Sequence, residues 1–298
     1  MKLKFWGTRG SIPTPGKETV RYGGNTPCVE VRLRDNRLVI LDAGTGLREL
    51  GEALMAKGES VNAQVLISHP HWDHIQGFPF FKPAFISGNE LTILGAQSKD
   101  VTLRQMVADQ MNKVYFPVQL NELKAKINFR PLREGTTPIF DAELTSIYVN
   151  HPAFALGYRL DAGGHSLVYI SDNEPFDREV ARSLKNVEKV ITDKYAEGKG
   201  DPNQRIFDFA RGADVLIHDA TYTPEEYVNR VGWGHSHYLF TLKVAAEAQV
   251  KKLVLFHHDP SHNDDKIDEI VETCKKEIKT RSYKFDCIAA EEGMELQW

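Results

Sequence analysis

Five times this chain runs apolar and then stops at an aspartate or a histidine: LVILDAG, QVLISHPH, LVYISDN, DVLIHDA and KLVLFHHD. Short apolar runs bounded by turn residues are buried strands. Aspartate and histidine are poor strand formers and costly to bury unpaired, so their recurrence at strand ends needs a compensating partner. If those ends gather on one edge of a layered structure, they form a polar rim over an apolar core. Rigid scaffolds present functional side chains in such rims.

The remaining pattern fixes the layers. Apolar runs predict strands at 2–6, 28–33, 37–41, 64–68, 91–94, 126–131, 144–149, 155–160, 166–170, 189–192, 215–217, 253–256 and 287–289. Amphipathic stretches predict helices at 47–57, 100–111, 175–184, 202–211, 224–231, 236–249 and 262–279. So many strands need two sheets, and helices with an apolar stripe, such as Leu239, Leu242, Val244, Ala245 and Ala248, must cover their outer faces. A four-layer αββα sandwich with mixed sheets meets both demands. No Ser/Gly/Pro-rich spacer or low-complexity tract divides the 298 residues, so a single domain over 1–298 is expected.

The net charge of −4 argues against a basic field that would gather long polyanions. Cys28, Cys274 and Cys287 form no CxxC pair, so neither a disulfide framework nor a thiolate zinc site is indicated and a reducing cytoplasm is expected. No apolar run approaches membrane-spanning length, and the start, MKLKFWGTRG, has no signal-peptide core, so a soluble protein without membrane contact is expected.

The densest chemistry lies in SHPHWDHIQG. His69 and His71 are two apart in an extended segment, so both can face one ion. Asp73 and His74 follow as the chain turns and aim at a neighbouring spot. Two pairs are too few, because a divalent ion in such a site takes three or four protein ligands and keeps room for water. The missing ligands belong at other strand ends, where His151, Asp172 and His257 are best placed. One ion then takes His69, His71, His151 and a bridging Asp172; the other takes Asp73, His74, His257 and the same Asp172. Zinc is the first expectation for the two divalent ions, with manganese or iron as alternatives.

These residues resemble the metallo-β-lactamase fold superfamily, and within it the branch of ribonuclease Z and related phosphodiesterases. The resemblance spans nearly the whole chain, from FWGTRGSIPTPG, GGNTPCVEV and ILDAGTG through SHPHWDHIQG to LIHDATYTPEE, GHSHYLFTLKVAAEA and VKKLVLFHHDP. It implies the same seven ligands. It also implies that His235 assists the phosphate chemistry and that Asp42 is a buried aspartate beneath the site, orienting ligand histidines. The implied reaction is hydrolysis of a phosphodiester by hydroxide generated between two cations, with Asp73 orienting it and His235 serving the leaving group. His237, two residues on, is the competing candidate for that last role.

Other features have structural readings. His165, His218, His237, His258 and His262 are expected to bond backbone or cap turns. GTRGSIPTPG lacks the lysine and spacing of a phosphate-binding P-loop and reads as a turn bracing the rim. Phe78, Phe80, Phe81 and Phe85 read first as core, with stacking on a nucleobase as the alternative. The stretch LRQMVADQMNKVYFPVQLNEL reads as a pocket wall.

For the substrate, only a compact hairpin fits between His151 and Asp172, and the following stretch DKYAEGKGDPNQR is no basic clasp. With the acidic net charge, this favours a small or cyclic nucleotide phosphodiester. Long nucleic acid and membranes are then not expected partners, and a homodimer is compatible with the reading. The alternatives are a tRNA 3′-processing endonuclease and a non-catalytic metal-binding sensor.

Overall fold

The computed structural model describes residues 1–176, 201 and 203–298, and element labels below run over these residues. The strand expected at 189–192 lies outside them, as do most of the helix at 175–184, the start of that at 202–211 and most of DKYAEGKGDPNQR.

Two seven-stranded sheets face each other. The first is ordered β14 (Glu295–Gln297), β1 (Lys2–Gly7), β2 (Cys28–Arg32), β3 (Leu38–Leu41), β4 (Asn62–Ile67), β5 (Glu90–Gly95), β6 (Lys126–Pro131). The second is ordered β13 (Asp286–Ala289), β12 (Lys252–Phe256), β11 (Val215–Asp219), β10 (His165–Ile170), β9 (Leu156–Ala162), β8 (Ala142–Tyr148), β7 (Gly135–Ile139). Each sheet joins antiparallel strands to a parallel run, β3 to β6 in the first and β10 to β13 in the second. The sheets are therefore mixed, as the sequence pattern predicts.

Strand alternation sorts the cores. In β3, Val39 and Leu41 turn inward to meet Tyr158, Tyr169 and Phe256 of the other sheet. Leu38 and Ile40 turn outward to meet Leu47, Leu50 and Leu54 of α1 (Gly46–Ala56), beside Leu103 and Val107 of α3 (Leu103–Asp109). On the second sheet, Val215 and Ile217 face inward while Leu216 packs outward with residues of α4 (Gln204–Ala210), α6 (Tyr238–Glu247) and α7 (Asp264–Thr280), the short α5 (Pro224–Tyr227) lying between α4 and α6 in sequence. Strands covered on both faces read as unbroken apolar runs, which is why VLIL- and LVLF-like strings mark the centre of each sheet.

Two strands escape the sequence pattern. β7, GTTPI, is a polar edge strand holding Pro138, which an edge tolerates because its N–H side needs no partner. β14 is three residues long and pairs only with β1. One helix begins later than its pattern suggests: α3 starts at Leu103 because Thr102 caps it, its side chain accepting from the Gln105 N–H at 3.1 Å.

The loop after β1 locks the sheets together beside the rim. Arg9, completely buried, donates from Nε to the Gly23 carbonyl at 2.8 Å and from Nη1 to the carbonyls of Asp259 and His262, and it lies 3.7 Å from the Asp264 carboxylate. Replacing Arg9 with alanine strands the carbonyls of Gly23, Asp259 and His262 and removes the ion pair with Asp264, which keeps the Arg21 and Tyr22 N–H groups, a loss on the order of 3–5 kcal/mol. Denaturant unfolding should show that loss, and Arg9→Lys should recover only part of it, since an ammonium cannot reproduce the planar fork. An unchanged midpoint for Arg9→Ala would refute this account.

Candidate metal centre

The C-terminal ends of β3, β4, β10, β11 and β12 meet along one edge, so the five strand-end motifs converge. After β4 the chain stays extended through His71, which has φ −61° and ψ 148°, and then turns into α2 (Trp72–Ile75). The extended part brings the rings of His69 and His71 to 4.5 Å, and the turn carries Asp73 and His74 inward. His151 completes the first group: its ring is 4.5 Å from that of His69, and its Nε2 is 3.1 Å from His71 Nδ1. Asp73, His74 and His257 form the second. His257 Nε2 and His74 Nε2 each lie 3.2 Å from Asp73 Oδ2.

Asp172, just past β10, sits between the groups. Its carboxylate oxygens are 3.2 Å from His74 Nε2, 3.5 Å from His257 Nε2 and 3.6 Å from His69 Nε2. All seven predicted ligands thus lie in one cluster, His71 exposed to solvent and the other six buried. His69 Nε2, His74 Nε2 and Asp172 Oδ1 are buried yet make no hydrogen bond among the described residues. Buried polar atoms that converge without partners fit a divalent cation, with imidazole and carboxylate donors suited to zinc, manganese or iron.

Protonation states agree with that fit. Burial holds His69 well below the ordinary imidazole range and His151 at about 4, so both rings are neutral donors. Burial raises the Asp73 and Asp172 carboxyls, but the neighbouring histidines outweigh it and keep both strongly acidic. His74 differs: burial opposes its protonation, yet Asp172, Asp73 and Asp42 overcome this and push it well above its usual value. A cation exerts the same attraction on those carboxylates and competes with that proton.

A supporting layer fixes the rings. Asp42, completely buried with φ +60°, accepts from His74 Nδ1 at 2.7 Å, the Ser68 N–H at 2.7 Å, Ser68 Oγ at 2.8 Å and the Tyr169 hydroxyl at 2.7 Å. It touches the site through His74, as expected of an orienting residue. His151 Nδ1 donates to the Gly234 carbonyl at 2.9 Å, turning Nε2 to the cluster. The GTRGS turn braces the rim: the Ser11 N–H donates to Asp73 Oδ2 at 2.7 Å, and a side chain at Gly10 would collide with the His257 ring at 2.3 Å.

His235 enters the cluster and His237 does not. The His235 ring stacks on His257 at 4.9 Å, with Nδ1 3.3 Å from Asp219 Oδ2 and 3.6 Å from Asp172 Oδ2. Burial works against its charge, but Asp219 prevails and raises its pKa to about 9. His237 is not inside a helix as its pattern suggests; it is the extended N-cap of α6, accepting from the Phe240 N–H, with its ring 5.0 Å from Tyr227. The other set-aside histidines make local contacts: His218 donates to the Asp219 carbonyl, His258 to the Ala290 carbonyl, His262 bonds Glu226 and His165 approaches Asp214.

Sequence reasoning missed Asp219, although DVLIHDA is one of the five strand-end motifs and carried that signal. It also missed Glu174, which accepts from the Tyr227 hydroxyl and the Gly232 and Gly234 N–H groups and so holds the loop leading to His235. Nothing in SDNEP marks it.

A family profile described as the beta-lactamase superfamily domain matches residues 37–199. The chain is 26% identical to a ribonuclease Z of Archaeoglobus fulgidus, the alignment covering 99% of this chain and 97% of that one. Among solved structures, it is similar to the metallo-beta-lactamase fold protein YhfI of Bacillus subtilis, with a TM-score of 0.67, 19% identity and 99% of each chain covered. It is also similar to the short form of human tRNase Z, with a TM-score of 0.63, 18% identity, and 100% and 99% of the two chains covered.

These likenesses correct the substrate expectation. Proteins alike over almost the entire length are named ribonuclease Z, so the small or cyclic nucleotide reading fails, and with it the exclusion of long nucleic acid. The error is physical: net charge sums over 298 residues, whereas phosphate recognition depends on the local field at the site. A missing arm between His151 and Asp172 removes one means of gripping RNA and leaves others.

Reconstituted protein should hold two divalent ions per chain by elemental analysis. Asp172→Ala should weaken both together and His151→Ala only one; a single ion at saturation with full activity would refute the two-ion count. Asp42→Asn should lower metal affinity roughly 10–100-fold while the fold persists, since it keeps the side chain's size and disturbs the support of His74, Ser68 and Tyr169; unchanged affinity would remove its orienting role.

Proposed function

The chain belongs to the beta-lactamase superfamily and is a metal-dependent hydrolase, and from that premise we propose that it is a ribonuclease Z-type phosphodiesterase that cuts tRNA precursors at their 3′ side. The observation that carries this is the near full-length likeness to ribonuclease Z proteins, supported by a cluster that supplies ligands for two ions. In this reading the described chain works as one catalytic unit. A cytoplasmic setting accords with the substrate and with three free, buried cysteines.

His69, His71, His151 and Asp172 would hold one divalent ion, and Asp73, His74, His257 and Asp172 the other, with zinc first and manganese or iron as alternatives. When bound, the ions would supply hydroxide at neutral pH and positive charge for the phosphate oxygens. Asp73 orients the attacking group, its own carboxylate fixed by the Ser11 N–H. His235 carries the proton for the leaving oxygen: Asp219 engages Nδ1, leaving Nε2 as the donor, and a pKa of about 9 keeps the ring protonated at neutral pH.

Metal-loaded protein should cleave a tRNA precursor bearing a 3′ trailer at a single position; turnover of bis(p-nitrophenyl) phosphate with the precursor left intact would overturn the substrate. His235→Ala should lower kcat on the precursor by roughly 10²–10⁴-fold without loss of metal, and much less on a p-nitrophenyl ester, whose leaving group needs little protonation. Equal losses on both would leave His235 as a phosphate-binding or structural residue.

A further inference from the structure

Beside the metal cluster, α2 and the segment after α3 enclose a cavity of about 630 Å³, within the range of small-ligand sites. Its rim carries Trp72 and Tyr115, 78% and 81% exposed. Phe80 and half-buried Phe116 also line it, packed edge to face at 5.3 Å. Isolated exposed aromatics are ordinary, but four around one cavity beside a reactive cluster are a recognition surface.

The cavity is continuous with the cluster through the chain itself. Pro70 and Trp72 alternate with His69, His71 and Asp73 along one turn, so the inward residues face the cluster while their neighbours line the cavity. Among the described lining residues the only charged one is Asp109, so the wall offers a phosphate nothing and suits a neutral flat body. Two amide side chains, Gln76 and Gln110, complete the lining and add polarity without charge.

Resting on the proposed RNA phosphodiesterase reading, we infer that this cavity is a base-binding subsite, stacking the unpaired nucleobase of a nucleotide next to the scissile phosphodiester on Trp72 and Tyr115. The phosphate goes to the cluster and the adjoining base to the aromatic wall. Base–aromatic stacking tolerates any base, since each presents a π-face, and contributes on the order of 1–3 kcal/mol per base, or about 5- to 150-fold in affinity.

The test uses metal-loaded protein mixed with hexaadenylate or with a ribose-phosphate hexamer lacking bases, binding being read by tryptophan fluorescence before turnover. Wild type should prefer the base-bearing oligomer by roughly 5- to 150-fold. Tyr115→Ala and Trp72→Ala should each lose most of that preference while binding the abasic oligomer unchanged; for Trp72→Ala, fluorescence anisotropy of a labelled oligomer replaces the lost signal. Equal binding of the two oligomers by wild type, or a preference surviving both substitutions, overturns the subsite. Conversion of a dimer to a monomer by Tyr115→Ala, with the preference intact, assigns the wall to a second copy of the chain instead. Precursor cleavage separates the two readings. Cleavage without a base preference removes the subsite alone, and a base preference without cleavage removes the tRNA assignment alone.

Discussion

Three carboxylates, those of Asp42, Asp172 and Asp219, are shut off from water in one seam between the sheets, and the arrangement around them answers their charge. A buried carboxylate costs several kcal/mol unless donors or cations surround it. Asp42 is met by Ser68, His74 and Tyr169, which tie the end of β3 to β4, α2 and β10. Asp219 is met by the N–H groups of Asn173, Thr221 and Ser236 and by the Thr221 hydroxyl. Among the described residues, Asp172 alone of the three lacks such neutral donors; its neighbours are imidazoles, and Oδ1 makes no hydrogen bond. Of the three carboxylates, the one without neutral donors among the described residues is therefore the one that lies between the two histidine groups.

Much of this was legible in the sequence because it depends on local rules. A strand central to a sheet is apolar on both faces, so β3, β4, β11 and β12 announce themselves, and their C-terminal residues then name the rim. The string His69 to His74 carries its own geometry, an extended pair followed by a turn. What was illegible depends on long-range contact. Glu174 matters because a loop some sixty residues later closes on it, and no periodicity records that. Edge strands β7 and β14 pack on one side only and leave a weak pattern. The extended N-cap at His237 follows from the bridge between Tyr222 and His237, again a contact invisible in the string GHSH.

The substrate was misread for a related reason. Net charge is a sum, and it was applied to a question about a place. Nucleic-acid binders that lean on lysine and arginine advertise themselves in composition, because each phosphate contact needs a side-chain cation. A hydrolase whose phosphate site is lined with histidine and aspartate takes its positive charge from ions, which composition does not count. Such a chain can be acidic overall and still act on a polyanion. The same logic explains the aromatic cavity beside the cluster. Where ions meet the phosphate, the protein surface next to it is relieved of that task and is free to be neutral and apolar. Trp72 and His71 are adjacent in sequence and alternate in direction: the segment from His69 to His74 presents the clustered histidines and aspartate on one side and, through Pro70 and Trp72, a hydrophobic wall on the other.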